Sequence, residues 1–366
     1  MAITKTNTLD CVLICPRKLK GEPFDGGDTK IQSIEKILSL IGQSYFFSST
    51  FYWKKHPYST FRDVCKAIPK ARNIFVITSL NGIRVLLPLA DRKRKRGQKL
   101  FFFMIGVGPF NVFWKKQKNC ASFFDYVRDE KHWEVKTNTV YAKALRKADV
   151  VAVETPTLKR MCEKILGLSN VIVVTNFREP SNFVLKASPH SGLRLLFFSR
   201  ILKEKGAYEA AAAVSCLRKE GLDVTLDFYG PVYDEWGKEF VSNLSNGITY
   251  QGVFSGGFQE KYCLFSKYDC SLLPTRLTEG VPGAIVESFM SGVPVICSSF
   301  ALTLDIIKDG INGVLFSGGV SELTSAIKKV ALDKALLDKL KAGAIDSSRT
   351  YDEKNAVDLF REFLIP

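Results

Sequence analysis

One stretch constrains the fold more than any other: residues 275–296, reading TRLTEGVPGAIVESFMSGVPVI. It sets Glu279 and Glu287 eight positions apart within a loop, a helix and a strand. The loop is Glu279-Gly280-Val281-Pro282-Gly283. The spacing predicts a helix over about 282–291, with Gly292 as its stop. Val293-Pro294-Val295-Ile296 then opens a buried strand. A loop that runs straight into a helix N-terminus presents unpaired backbone N–H groups at the positive end of the helix dipole, where a phosphate or sugar oxygen can sit. Carboxylates on either side can accept hydrogen bonds from ribose and hexose hydroxyls. The segment therefore points to a nucleotide-sugar site.

The rest of the chain supplies the frame. Its 366 residues are enough for two ordinary domains. No run of about 18 apolar residues predicts a membrane span, and the first ten residues, MAITKTNTLD, lack the apolar centre of a signal peptide. Nine cysteines form no C-x-x-C pair, so they read as reduced thiols of a cytosolic protein.

Short apolar runs alternate with segments of helical period. CVLIC (11–15) predicts a strand, and Ile31, Ile34, Leu38 and Ile41 follow at helical spacing. Strands are predicted over 74–78, 100–105, 150–153 and 171–174, with a helix over 156–166 led by Pro156. Residues 184–192, VLKASPHSG, break the pattern and read as a linker. A second series follows: strands 193–198, 224–229 and 270–273, and helices 207–218, 234–244 and 257–266. An amphipathic segment, 353–364, closes the chain. Such alternation makes parallel sheets covered on both faces by helices. The expected fold class is α/β, as two doubly wound Rossmann-like domains, 1–183 and 193–351, with an interdomain cleft. Residues 352–366 are expected to return to the first domain. In such sheets ligands bind beyond the carboxyl ends of the strands.

Two further segments fall at such ends. SRILKEKG (199–206) follows a predicted strand and opens a helix, which places Arg200 and Lys205 where two cations can neutralise a diphosphate and its departing charge. FDGGDTK (24–30) opens the first helix, and Gly26-Gly27 allows close approach of backbone to a ligand.

Together these segments resemble the retaining glycosyltransferases of family 4, which have the GT-B fold. The resemblance covers nearly the whole chain and is strongest from about residue 139 onward. The family's E-G-x-P…E-x-x-x-x-G-x-P-V-I frame is matched from Glu279 to Ile296. Its G-R-x-x-x-x-K-G segment is matched by Arg200, Lys205 and Gly206, with Ser199 in place of the first Gly. Its strand ending in Asn-Gly is matched over 171–176, with Phe177 where Gly is common. The resemblance implies that Arg200 and Lys205 hold the donor diphosphate, that Glu287 accepts from the ribose and that Glu279 faces the transferred sugar. It further implies that Gly280, Val281, Pro282, Gly283 and Ala284 line sugar and phosphate. Gly26 and Gly27 would close over the donor, with Tyr229, Gly230, Val253 and Phe254 near the base. Plain core packing is the competing assignment for Tyr229, Val253 and Phe254.

The sequence departs from the family in one respect. The family often carries a His after the strand that faces the donor sugar, whereas here Gly106-Val107-Gly108-Pro109-Phe110 follows. Of the three histidines, His190 falls in the linker and His56 in a polar loop, and His132, in a charged segment, is a weak candidate, so no buried general base is visible. A front-face retaining reaction, in which the departing phosphate takes the acceptor proton, requires none. No Asp-x-Asp pair marks a metal site, so no metal cofactor is expected.

Net charge is +15, and it is uneven: residues 1–185 carry +17 and residues 186–366 carry −2. Asp91 is followed by Arg92, Lys93, Arg94, Lys95, Arg96 and Lys99, and Lys115 and Lys116 come later. Basic residues near an anionic bilayer contribute roughly 1 kcal/mol each. Phe101, Phe102 and Phe103 read as a buried strand rather than as membrane anchors. The expectation is an enzyme moving a hexose or N-acetylhexosamine from a UDP-sugar or GDP-sugar, UDP favoured, to a lipid-diphosphate-linked glycan of bacterial O-antigen, capsule or exopolysaccharide. It would sit on the anionic cytoplasmic face of the inner membrane. A nucleotide-sugar epimerase of similar architecture is the alternative. A nucleic-acid partner is disfavoured, because no binding motif accompanies the charge.

Overall fold

The structure, a computed structural model, describes residues 9–15, 26–49, 57–78, 80–117, 119–182, 190–277, 279–299 and 302–364. Most of the 184–192 linker, Phe24, Asp25, His56 and the terminal Ile365 and Pro366 lie outside the described residues. The chain forms two units, residues 1–176 with 353–366, and residues 177–352.

The first unit holds strands β1 (Leu9–Cys15), β2 (Tyr45–Ser49), β3 (Ala71–Thr78), β4 (Lys99–Met104), β5 (Val150–Val153) and β6 (Val171–Val173). They form one sheet in the order β2-β1-β3-β4-β5-β6, with every pair parallel. Helices α1 (Gly26–Leu40), α2 (Pro57–Ala67), α3 (Leu80–Lys93), α4 (Phe110–Lys115), α5 (Phe123–Arg128), α6 (Val140–Leu145) and α7 (Pro156–Leu166) connect them. The central strands are near-continuous apolar runs over most of their length because both sheet faces are covered. Five of the seven residues of β1 and all but Arg72 in β3 are buried. At α7 the Thr155 hydroxyl accepts from the Leu158 N–H at 3.2 Å and Pro156 follows the cap.

The second unit repeats the plan with β7 (Leu193–Phe198), β8 (Val224–Tyr229), β9 (Ile248–Tyr250), β10 (Cys270–Leu273), β11 (Val295–Ser298) and β12 (Gly313–Phe316). The parallel order is β12-β11-β10-β7-β8-β9. Its helices are α8 (Ala207–Lys219), α9 (Glu235–Ser242), α10 (Phe258–Phe265), α11 (Gly283–Met290), α12 (Val320–Leu332) and α13 (Lys334–Ser348). Helix α14 (Glu353–Phe363) belongs to the first unit, where Lys36 pairs with Glu353 at 2.9 Å and Phe360 stacks on Phe75.

Most element ends shift by one to three residues from the sequence reading, and two differences bear on the site. The units divide at Asn176/Phe177, ahead of the stretch read as linker. Residues 178–182 are fastened to α10: Gln259 donates to the Glu179 carboxylate and the Pro180 carbonyl, and the Tyr262 hydroxyl donates to the Glu179 carbonyl at 2.9 Å. Strand β11 starts at Val295 rather than Val293, because the Val293 N–H donates to the Ser288 carbonyl and closes the helix.

The strand orders locate the sites. In the second sheet the chain leaves β7 toward β8 on one side, and β10 flanks β7 on the other. This is the switch point at which open parallel sheets bind ligands, beyond their carboxyl ends. The loops that follow β7 and β10 are those carrying Arg200, Lys205 and Glu279. In the first sheet the switch point lies between β1 and β3, and Gly26-Gly27 forms the first turn of the helix that follows β1.

Candidate functional site

The two loops of the second unit meet over the switch point. Lys205 is buried, and its Nζ donates to Glu279 Oε1 at 2.7 Å. The Thr275 hydroxyl donates to the same oxygen at 2.9 Å. Gly206 makes this approach possible. It sits at φ +77° and a Cβ there would lie 2.1 Å from the Pro274 carbonyl oxygen, so only glycine lets the β7 loop run this close to the β10 loop. The Arg276 N–H donates to the Glu204 carbonyl at 2.8 Å, and the Arg276 side chain pairs with Glu209 in the first turn of α8. Arg200 is exposed at the end of the β7 segment.

Helix α11 begins after Pro282, and the Ile285 N–H is the first to bond back to the Pro282 carbonyl, at 3.1 Å. The amides of Gly283 and Ala284 precede it, at the positive end of the helix, and both residues are partly exposed, as is Gly280. Val281 and Pro282 are buried, and Val281 joins the apolar cluster of Ile285, Val286 and Phe289 that fixes the helix start. Burial and then the charge of Glu279 push the Cys297 thiol well above its ordinary range.

Glu287, one turn further along α11, is buried between two cations. Arg178 donates through Nε and Nη2 to Oε1, each at 3.2 Å, and Lys261 Nζ lies 3.2 Å from Oε2. A buried carboxylate is tolerable only when paired and hydrogen-bonded, and these two residues satisfy that condition. Both cations face aromatic rings, Arg178 over Phe258 at 5.1 Å and Lys261 over Phe198 at 5.4 Å. Phe198 in turn neighbours Tyr229 and Phe254, at 6.1 Å each, on the cluster of Leu196, Phe265 and Tyr268. Tyr229 and Phe254 are thus partly buried, whereas Val253 is 63% exposed. Gly230 packs against the Ser199 carbonyl.

Sequence reasoning missed Arg178, Lys261 and Thr275. Arg178 carried a signal: a cation directly after the Asn176-Phe177 end of a buried strand. Lys261 carried none, since only the folded α10 brings it to Glu287. A further pair was also missed. In the first unit, Lys30 of α1 and Glu154 at the end of β5 form a buried ion pair at 2.6 Å.

The basic residues do not form one patch. Arg92 and Lys93 end α3 and Lys99 opens β4, so residues 92–99 lie at the amino-terminal edge of the first sheet, opposite its ligand-binding edge. Arg94 is held by Asp91 and Asp149, and Lys99 donates to the Phe363 carbonyl at 2.6 Å. Arg92, Lys93, Lys95 and Arg96 are exposed, as are Lys115 and Lys116, which end and follow α4 beyond the other end of β4. Phe101, Phe102 and Phe103 are buried. Among the described residues, no helix is long and apolar enough to cross a membrane.

Comparison with known proteins agrees with this architecture. The sheet orders and the switch-point site define a protein of the GT-B class, and solved structures of that class match over nearly the whole length. The crystal structure of Anabaena Alr3699/HepE in complex with UDP-glucose superposes with a TM-score of 0.68 at 16% identity, covering 96% of this chain and 98% of that one. Sucrose-phosphate synthase from Thermosynechococcus elongatus gives 0.70 at 14% identity, with 96% and 98% covered. Residues 192–333, most of the second unit, match the family described as Glycosyl transferases group 1. The amylovoran biosynthesis glycosyltransferase AmsK of Erwinia amylovora is 27% identical over 161 residues. That stretch covers 41% of this chain and 39% of the relative, so the match spans about two fifths of each.

Proposed function

We propose that the protein is a retaining glycosyltransferase of family 4 that transfers a hexose or N-acetylhexosamine from a nucleoside-diphosphate sugar, UDP favoured, to a glycan acceptor. The observation that carries this reading is the joining of Lys205 to Glu279 beside the open first turn of α11, with Glu287 on the same helix. One end of that array suits a diphosphate and the other a ribose. The UDP-glucose complex of the structurally similar HepE supports the donor class.

In this reading Arg200, Lys205 and the Gly283 and Ala284 amides hold the diphosphate, and no metal ion is needed to neutralise it. The bond from the sugar C1 to the phosphate oxygen breaks, and its electrons remain on that oxygen. An acceptor hydroxyl attacks C1 from the same face, and its proton passes to the departing phosphate. Glu279, held by Lys205 and Thr275, accepts from hydroxyls of the transferred sugar. Gly26 and Gly27 open α1 at the switch point of the first sheet, where backbone can approach a ligand closely. The acceptor is a lipid-diphosphate-linked oligosaccharide of O-antigen, capsule or exopolysaccharide assembly, a class favoured by the likeness to AmsK. Exposed Arg92, Lys93, Lys95 and Arg96 hold the protein on the cytoplasmic face of the inner membrane.

The test is a panel of UDP- and GDP-sugars, scored by thermal shift and then by turnover. Glu279→Ala and Lys205→Ala should abolish transfer while the fold survives. Near-normal turnover in both variants would overturn the site, and conversion of the donor to another nucleotide sugar without acceptor would favour an epimerase.

A further inference from the structure

Arg178 joins the buried Glu287 carboxylate to the ends of the second unit. It is buried, yet it spends two of its donors on a single oxygen of Glu287 and another on the Phe177 carbonyl, at 2.9 Å. Its main chain is committed elsewhere. The Arg178 N–H donates to the Tyr351 carbonyl at 2.8 Å, and Arg178 forms a parallel bridge with Asp352. The second unit begins at Phe177 and ends at Asp352, so the two passages of the chain into and out of that unit are bonded to each other at Arg178.

We propose that Arg178 is a positioning residue for the nucleotide, one that joins the carboxylate of Glu287 to this crossing point. The inference rests on the reading of Glu287 as the ribose acceptor. A carboxylate that accepts from two ribose hydroxyls must be held in one rotamer with lone pairs left over. The Arg178 fork takes one oxygen, and Lys261 approaches the other from α10. An arginine suits this task because its planar donors fix direction as well as charge, whereas a lysine supplies charge alone. Occupation of Glu287 by ribose would order the carboxylate, then Arg178, then the paired main chain of residues 177–179 and 350–352. Nucleotide binding is thereby linked to the stability of the crossing.

The experiment measures UDP and GDP affinity by calorimetry for the wild type, Arg178→Met and Arg178→Lys, with donor KM and kcat for each. Amide exchange with and without nucleotide is followed in parallel. Arg178→Met should weaken the nucleotide at least tenfold, with the loss falling on KM more than on kcat, and Arg178→Lys should recover part of it. In the wild type the nucleotide should slow exchange at 177–179 and 350–352. This measurement stands even if Arg178→Met does not fold. A wild type that binds nucleotide without any such slowing, or an Arg178→Lys variant that binds as tightly as the wild type, overturns the inference and leaves the glycosyltransferase reading standing. A wild type that binds neither nucleotide overturns both.

Discussion

Removing the Lys205 ammonium separates the part of the site that stabilises the fold from the part that does chemistry. In Lys205→Met the apolar stem is kept, but Glu279 loses the cation 2.7 Å from Oε1. Breaking a fully buried pair from one side costs about 3–5 kcal/mol. Here the Glu279 side chain is 20% exposed and the Thr275 hydroxyl still donates to it at 2.9 Å, so about 1–3 kcal/mol is the appropriate range. For a unit of this size that is a fall of roughly 2–12 °C in Tm. On the proposed reading Lys205 faces the departing diphosphate, and loss of one preorganised cation there should lower kcat by about 10²–10³. The double variant Lys205→Met with Glu279→Gln removes both charges, so its Tm should recover part of the loss while kcat stays depressed. Differential scanning fluorimetry and a coupled assay of nucleotide release read the two quantities separately. If the single variants' Tm losses simply add in the double variant, the pair is not coupled. If Lys205→Met turns over within a few-fold of wild type, the cation does not act on the diphosphate.

Three other outcomes follow from the same geometry. Gly206→Ala should destabilise far more than Gly221→Ala, because both sit at positive φ but only the first would drive a Cβ into backbone; chemical denaturation compares them, and equal losses would contradict the close approach of the two loops. Replacing Arg92, Lys93, Lys95 and Arg96 with glutamine should release the protein from anionic vesicles, at about 1 kcal/mol per residue. Donor KM should hold, since these residues lie at the far edge of the sheet, and undiminished sedimentation with vesicles would remove the membrane role. Burial, then the charge of Asp10, pushes the Cys11 thiol up to about 12. The folded chain therefore holds a proton that the unfolded chain loses above about pH 9, so stability from this group falls as pH rises from about 9 to 12. At pH 8 exposed Cys216 and Cys263 should react with a thiol reagent and Cys11 should not, as mass spectrometry of labelled peptides would report.

The fold was legible because its signals are local. Leu193–Phe198 is a mostly apolar run, and Val224–Tyr229 alternates buried Val224, Leu226 and Phe228 with half-buried Thr225, Asp227 and Tyr229; the ends of both coincide with the sequence reading. What stayed hidden depends on contacts distant in sequence. Arg178 and Glu287 are 109 positions apart and Lys30 and Glu154 are 124 apart, and no periodicity couples such positions. The basic run illustrates the converse. Its composition is plain in sequence, yet its place at the amino edge of the sheet depends on where α3 ends and β4 begins.

The two glutamates that the sequence presents as a matched pair are therefore unlike in the fold. Glu279 sits in a loop, partly exposed, with one cation and one hydroxyl on a single oxygen, and that arrangement leaves the other oxygen for a ligand and keeps the group movable. Glu287 is buried on a helix with cations on both oxygens, and its charge is balanced before any ligand arrives. A group that meets a sugar whose charge changes during reaction gains from freedom to adjust. A group that only grips a ribose gains from being fixed. On this argument Glu279→Gln should lower kcat with little change in donor affinity, whereas Glu287→Gln, which leaves Arg178 and Lys261 facing a neutral amide, should weaken the nucleotide and destabilise the second unit together. Calorimetry with UDP on both variants decides it, and a loss of affinity that is larger at Glu279 than at Glu287 would reverse the assignment.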